Sequence, residues 1–402
     1  MNKRLILSLV MFLQFCIYGA TLPIFSLFWK DYVGLSGKQI GIIFSLSSIS
    51  GILSPFITTF IADKFIRSKY IAAFLNFLAG ICLITLRFQS DFLYILVIYT
   101  LYATIVGPII GLLNAISFHL LSHERSKFGN IRVWGTIGYM FSGTFYSLVY
   151  LSLPGNGGKI GNSFIMAGVF AFIQTFVVLL LPSYKMEKPA SVKEVFPSDA
   201  FKLLLKYEVL IILLLQLLIF IADRFYFIGT APYLHFIGVG EKFIMPIMSL
   251  GQLTEIFAMF LLGILIPRIG YKKVFLLGVL SEIIRFGTYL VGHPYAITIF
   301  GVAIHGFTYA FLYVTISIFL DEQANRKTRT ALHQLFYMIT FGFGGIIGNI
   351  FAGKIMDIFT LSNGSVNYKL LWFVPLLISL FILIISIFYF PVKKELEIKN
   401  AN

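Results

Sequence analysis

Acidic residues are scarce in this sequence of 402 residues: 17 Asp and Glu stand against 31 Lys and Arg, and charged residues make up only 12% of it. A chain so poor in charge has no polar shell for a soluble domain. With 58% hydrophobic residues and a mean hydropathy of +0.91 it reads as a polytopic membrane protein. Cysteine is nearly absent as well. Cys16 and Cys82 both lie in apolar runs, so they read as small packing residues rather than a disulfide framework.

Other absences narrow the function. No HExxH pattern occurs, and the one pair with metal-ligand spacing, His119 and His123, has only Glu124 nearby and falls at the end of a predicted span. Interfacial histidines are the expectation, with no metal and no cofactor. No Ser/His, paired-Asp or His-rich constellation gathers at one depth, which argues against an intramembrane enzyme. No basic stripe interleaved with aromatics appears, so the net charge of +14 does not point to nucleic acid. The run from Leu5 to Phe28 is too long for a signal-peptide core and lacks a small-residue cleavage site, so it is expected to stay as the first span. No appended domain is there to relay a signal, which weighs against a sensor.

What the sequence has is apolar runs of the length a bilayer needs, roughly 20 residues each. Spans are predicted at 5–29, 38–62, 70–88, 92–122, 130–152 and 162–183, then at 208–236, 243–266, 272–291, 295–320, 330–355 and 369–391. The two sets of six flank one long polar stretch. The predicted organisation is therefore an N-terminal six-helix bundle over 1–184, a linker over 185–206 and a C-terminal six-helix bundle over 207–402. The halves share punctuation: IADKFIRSKYI in the first is echoed by LIPRIGYKKVF in the second, with residue 267 standing 204 positions after residue 63. Arg125 and Arg329 keep the same offset of 204. Two six-span repeats around a linker is the plan of a secondary transporter.

Basic residues fall in alternate gaps. Lys3, Arg4, Lys64, Arg67, Arg125, Arg268, Arg329 and the linker lysines share one side, in a ratio of about three to one over the other. Both termini and the linker are expected to be cytoplasmic, in a cell (inner) membrane, and the protein is expected to be a monomer. Glycines at helical spacing, Gly135 and Gly138, then Gly342, Gly344, Gly345 and Gly348, allow close helix contact, either for packing alone or for helices that rock.

Ionisable residues at the bilayer centre cost roughly 2.5–3.5 kcal/mol each on insertion scales, so each needs a partner or a use. Glu282 and Arg285, three apart in the ninth span, can pair with each other. Asp223 and Arg224 are adjacent in the seventh, point roughly 100° apart and cannot easily satisfy each other, so at least one faces a cavity or another helix. Gln252 and Glu255 share one face of the eighth span. They read either as contacts for a polar solute, with Glu255 carrying a proton, or as a buried glue between helices. Arg132 and Thr136 lie one turn apart in the fifth, where Arg132 either meets solute or snorkels to the interface. His305 in the tenth span reads as a satisfied buried histidine or a contact for proton or solute.

Six segments stand out: FLQFCIYG in the first span, GLLNAISFHLL in the fourth, IRVWGTIG in the fifth, MSLGQLTEIF in the eighth, IRFG in the ninth and GFGGIIGNIFAGKIMD in the eleventh. Together they resemble the nucleoside:proton symporter family of the major facilitator superfamily, over most of the chain. IRVWGTIG and SLGQLTEIF are the specific ones. The resemblance implies an all-α membrane fold of twelve transmembrane helices in two six-helix repeats, alternating access and a central cavity. It implies substrate contacts at Arg132, Thr136, Gln252 and Glu255, an aromatic contact at Tyr309, and a seventh-span contact where Arg224 and Phe227 stand in place of amides. The family's tenth span carries an aspartate where YAFLYVT places Ala310. Asp223 and Glu255 are thus the proton-coupling candidates. The expected function is proton-coupled symport of nucleosides or nucleoside-like solutes; the alternative is a permease of the same fold for a sugar, an aromatic acid or another small organic anion, which an arginine at 224 would suit.

Overall fold

A computed structural model describes residues 3–63, 68–121, 127–182, 198–325 and 328–391, without the side chains of 50, 51, 53–63 and 198. His123, Glu124, Arg125, Lys64, Arg67 and residues 185–197 of the predicted linker lie outside these. The first half consists of α1 (Lys3–Thr21), α2 (Gly37–Asp63), α3 (Ser68–Arg87), α4 (Phe92–Leu120), α5 (Phe128–Phe145) and α6 (Ser163–Leu179). A short helix, Ser198–Leu204, precedes α7 (Tyr207–Phe236). One element of 51 residues, Glu241–Val291, then covers two predicted spans. Its helical path breaks at Gly270, where φ is +79°, a backbone conformation that costs an L side chain but not glycine. The parts before and after the break are α8 and α9. The chain closes with α10 (Tyr295–Thr308, continued by Thr315–Gln323), α11 (Arg329–Tyr337, continued by Gly344–Ile358) and α12 (Tyr368–Tyr389).

Every predicted span falls on helix, as it must where lipid offers the backbone no hydrogen-bond partner. Among the described residues, nine helices are long and apolar enough to cross a membrane, counting Glu241–Val291 as one. Local chemistry sets the ends: the Asp91 carboxylate accepts from the amides of Leu93 and Tyr94 at 2.9 and 3.2 Å, and the Asn367 side chain accepts from Leu370 at 3.3 Å. Four π-helical turns interrupt the α-helices, Phe28–Tyr32, Tyr146–Tyr150, Tyr309–Val314 and Met338–Phe343. Such turns swing side chains off the α-helical face and concentrate at functional places.

Packing follows the small residues. α1 crosses α5 where Gly138 lies on the Phe12 carbonyl and Gly19 on that of Tyr139. The glycines of α11 serve two interfaces at once, Gly345 against Ser48 of α2 and Gly348 against Ile221 and Arg224 of α7. Between the halves, α2 packs on α11 and α5 on α8. The end of the bundle away from the chain termini is tied shut by polar contacts across these halves. The Asp357 carboxylate at the end of α11 accepts from the amides of Gly37 and Lys38, at 2.5 and 2.8 Å, capping α2. Asp31 meets His235 at 2.6 Å. Glu241 accepts from Tyr32 and, at 3.0 Å, from the Gly158 amide.

Candidate functional site

The predicted site residues divide between two places. Across the halves, Arg132 of α5 faces α8. Its guanidinium lies 4.0 Å from the centre of the Phe15 ring, near enough to Glu255 to feel its charge. Gly135 makes this possible, since any Cβ there would press on both Phe15 and the Arg132 guanidinium. Arg132, Thr136, Gln252 and Glu255 are all partly exposed, and Tyr309 is 36% exposed. Arg132 is thus held against an aromatic ring of α1. Thr136, one turn further along α5, is half-buried.

Gln252 and Glu255 owe their position to a close crossing. A Cβ on Gly306 of α10 would collide with the backbone of Gly251 and Glu255, and Thr254 donates to the Ala303 carbonyl. The amide of Gln252 is best satisfied with its nitrogen toward the carbonyls of Met248 and Ser249, at 3.2 and 3.3 Å. Among the described residues, the Glu255 carboxylate has no hydrogen-bond or ion-pair partner.

The second place is inside the C-terminal half. Arg285 of α9 donates to Asp223 of α7 at 3.0 Å and to Glu282 at 3.3 Å, and meets His305 of α10 at 2.6 Å. The Tyr313 hydroxyl donates to the other Asp223 oxygen at 3.2 Å. All five are buried. The expected Glu282–Arg285 pair is present but is only part of a larger cluster. Asp223 does turn to another helix, as the 100° separation from Arg224 requires, and Arg224 reaches it only at 3.5 Å. Arg224 is beside Asp223 rather than Glu255. His305 is satisfied by Arg285 and by stacking on Tyr226, with ring centres 4.3 Å apart. Ala310 is fully buried in a small apolar cluster with Ala258, Leu262, Val274 and Phe311.

Sequence reasoning missed Tyr313, Tyr337 and Gln216. They line, with Tyr309, Phe341 and His333, a cavity of about 240 Å³ in the half of the bundle nearer the chain termini. The π-helical turns present its aromatic walls: Tyr309 stacks on Tyr313 and Tyr337 on Phe341, with centres 5.5 and 4.3 Å apart. With 21 tyrosines and 44 phenylalanines in the chain, no periodicity separates these from packing residues. Tyr313 joins the buried cluster to this cavity, one side on the cavity and its hydroxyl on Asp223. Among the described residues, no group of three or more His, Cys, Asp or Glu could hold a metal.

Helices that pack across two halves, one end tied shut and ionisable groups between the halves are the features of a secondary transporter rather than an enzyme. Solved structures agree on the fold. The crystal structure of the nucleoside transporter NupG superposes with a TM-score of 0.87 at 22% identity, covering 98% of this chain and 100% of that one. A bacterial homolog of the human lysosomal transporter Spinster, in an inward-facing conformation, gives 0.69 at 15% identity, with 96% and 95% covered. The fold is that of the major facilitator superfamily.

The chain belongs to the nucleoside H+ symporter family, whose sequence profile matches residues 1–395. It is 31% identical over 367 residues to a putative nucleoside transporter, YegT, of Escherichia coli (strain K12), covering 87% of this chain and 84% of the relative. It is 24% identical over 394 residues to the nucleoside permease NupG of the same organism, covering 93% and 92%. It is a membrane transporter of proton-coupled, nucleoside-carrying type.

Proposed function

We propose that the protein imports nucleosides with protons, and that Arg132, Thr136, Gln252, Glu255, Tyr309 and Arg224 bind the solute. What supports this reading is that Arg132, set against Phe15 on α5, and the half-buried carboxylate of Glu255 stand on elements that pack against each other across the halves. A carboxylate there faces both the substrate and the interface that must open, so its charge is felt by both. Protonated Glu255 releases Arg132 to the solute and lets the halves close around it. Deprotonation restores the attraction and favours release. Coupling is then a population shift between states that differ in how Glu255 is paired. Asp223 is the second candidate carrier; Tyr313 gives it a contact to the cavity.

In this reading residues 1–184 and 207–402 are the two moving bodies, joined by 185–206. The termini are cytoplasmic, the tied end faces outward, and the 240 Å³ cavity belongs to the inward-facing state of a monomer in the cell (inner) membrane. The lysine and arginine asymmetry between alternate gaps supports the orientation.

The test is uptake of radiolabelled uridine and adenosine into cells lacking their own nucleoside permeases, with and without a protonophore. Concentrative uptake that the protonophore abolishes is the expected result. No uptake above the empty vector, with the protein present in the membrane, would turn the search to sugars, aromatic acids and small organic anions. The carriers are tested by a double variant, Asp223→Asn with Glu255→Gln. Accumulation against a gradient in that variant would remove both residues from the coupling.

A further inference from the structure

Arg224 has donors it does not use. Asp223 is already committed, with one oxygen to Arg285 at 3.0 Å and the other to the Tyr313 hydroxyl at 3.2 Å, so Arg224 is a second and looser cation at 3.5 Å. Its Nε is buried and has no hydrogen-bond partner among the described residues. What holds the group is aromatic: its guanidinium carbon lies 4.0 Å from the centre of the Phe220 ring and 4.5 Å from that of Phe227. Gly348 of α11 makes room for the stem, since a Cβ at that position would come within 2.7 Å of the Arg224 Cγ. The side chain is 16% exposed, whereas that of Arg285 is sealed at 0%. Asp223, which Arg224 meets at 3.5 Å, also holds the hydroxyl of Tyr313, a wall of the cavity.

A guanidinium carries five donors in a rigid plane and no acceptor. Fixed by two rings, with its donors only partly spent, it is prepared for a planar group that presents acceptors and penalises one that presents N–H. Nucleobases divide along that line. Uracil, hypoxanthine and guanine offer an exocyclic carbonyl oxygen, where cytosine and adenine offer an amino group in the same position. An amino group facing Arg224 would leave donors opposed and unpaired.

We infer that Arg224 makes this transporter selective for oxo-nucleosides such as uridine, inosine and guanosine over amino-nucleosides such as cytidine and adenosine. The inference rests on the nucleoside reading above and assigns the substrate class within it. Its test compares matched pairs that differ in the exocyclic group and the protonation of the ring nitrogen beside it, uridine with cytidine and inosine with adenosine, by the ratio of kcat/KM for uptake. The ratio is expected to favour the oxo member by about tenfold, the scale of one charge-assisted hydrogen bond. In Arg224→Gln, whose amide can both donate and accept, the ratio falls close to one. Arg224→Lys keeps the charge but loses the plane, and its ratio lies between.

A wild-type ratio near one overturns the inference while leaving nucleoside transport intact, as does a preference that survives in Arg224→Gln. No uptake of any of the four nucleosides overturns the nucleoside reading and this one with it. Should Arg224→Gln fail to reach the membrane, Phe227→Ala takes its place by removing one of the rings that set the plane. It is expected to narrow the ratio, and an unchanged ratio counts against the inference.

Discussion

Among the described residues inside the predicted spans, two places bring an arginine and a carboxylate together in opposite settings. Arg285 with Asp223 and Glu282 lies wholly within the C-terminal half and is sealed, its side chains 0–4% exposed. Arg132 with Glu255 spans the two halves and both residues keep contact with open space. Burial inside one body makes an ion pair a fixture: once desolvated, it is worth keeping only if nothing disturbs it. In the proposed mechanism, placing an arginine and a carboxylate on opposite sides of an interface that opens makes their attraction a variable. Charge inside a membrane is therefore not by itself a mark of function in this chain; what distinguishes the two arrangements is whether the partners move together.

That contrast can be broken most severely at Arg285. Arg285→Ala leaves two buried carboxylates and a histidine without their common donor, and removing one member of a buried pair costs on the order of 3–5 kcal/mol. The expected outcome is a large loss of folded protein, read as a fall in Tm in detergent and in membrane yield. Glu255→Gln, by contrast, is expected to leave Tm nearly unchanged and to abolish accumulation while sparing exchange. Counterflow in proteoliposomes should persist while uptake driven by an inward proton gradient disappears. If Glu255→Gln unfolds the protein and Arg285→Ala does not, the assignment of the two arrangements is reversed. A third variant sharpens the same point. Tyr313→Phe removes a single hydroxyl contact to Asp223, about 1–3 kcal/mol for a hydrogen bond to a charged group. It is expected to lower Tm less than Arg285→Ala does, and a larger fall would mean that the cluster depends on the tyrosine rather than the arginine.

Much of this was legible in the sequence, for physical reasons. Lipid forces each apolar run of sufficient length into helix, so the spans follow directly from hydropathy. The repeat of basic punctuation 204 residues on carries the two-half plan. Arg132, Gln252 and Glu255 stood out because charge is rare in these helices and its cost is high. The 100° between Asp223 and Arg224 already showed that one of them must look elsewhere. It could not show where, because the partner of Asp223 is 62 residues further along, on a helix whose rotation depends on packing. The helix rule made Glu282 and Arg285 a pair; only the fold made them part of a cluster of five. The aromatic cavity walls were hidden by abundance, and the π-helical turns that orient them have no signature of their own.

The mildest way to sharpen the comparison is at the tied end, where cross-half contacts are partly exposed. Asp31 and His235 are 2.6 Å apart with side chains 27% and 37% exposed, so solvent screens the pair and its loss costs about 1 kcal/mol or less. In the proposed mechanism it, like Arg132 and Glu255, lies between halves that separate, but away from the solute. Asp31→Asn is therefore expected to shift the balance toward the state open at this end without changing which nucleosides are carried. With Cys16 and Cys82 both buried, cysteines introduced at Tyr32 and Glu241 would be the accessible thiols. Spin labels on them should show a larger population at long distance in Asp31→Asn than in the parent. The shift should be a few-fold in the ratio of populations, since about 1 kcal/mol corresponds to roughly fivefold. An unchanged distance distribution would mean that the Asp357 cap on α2 holds this end closed on its own, and Asp357→Asn would then be the variant that opens it.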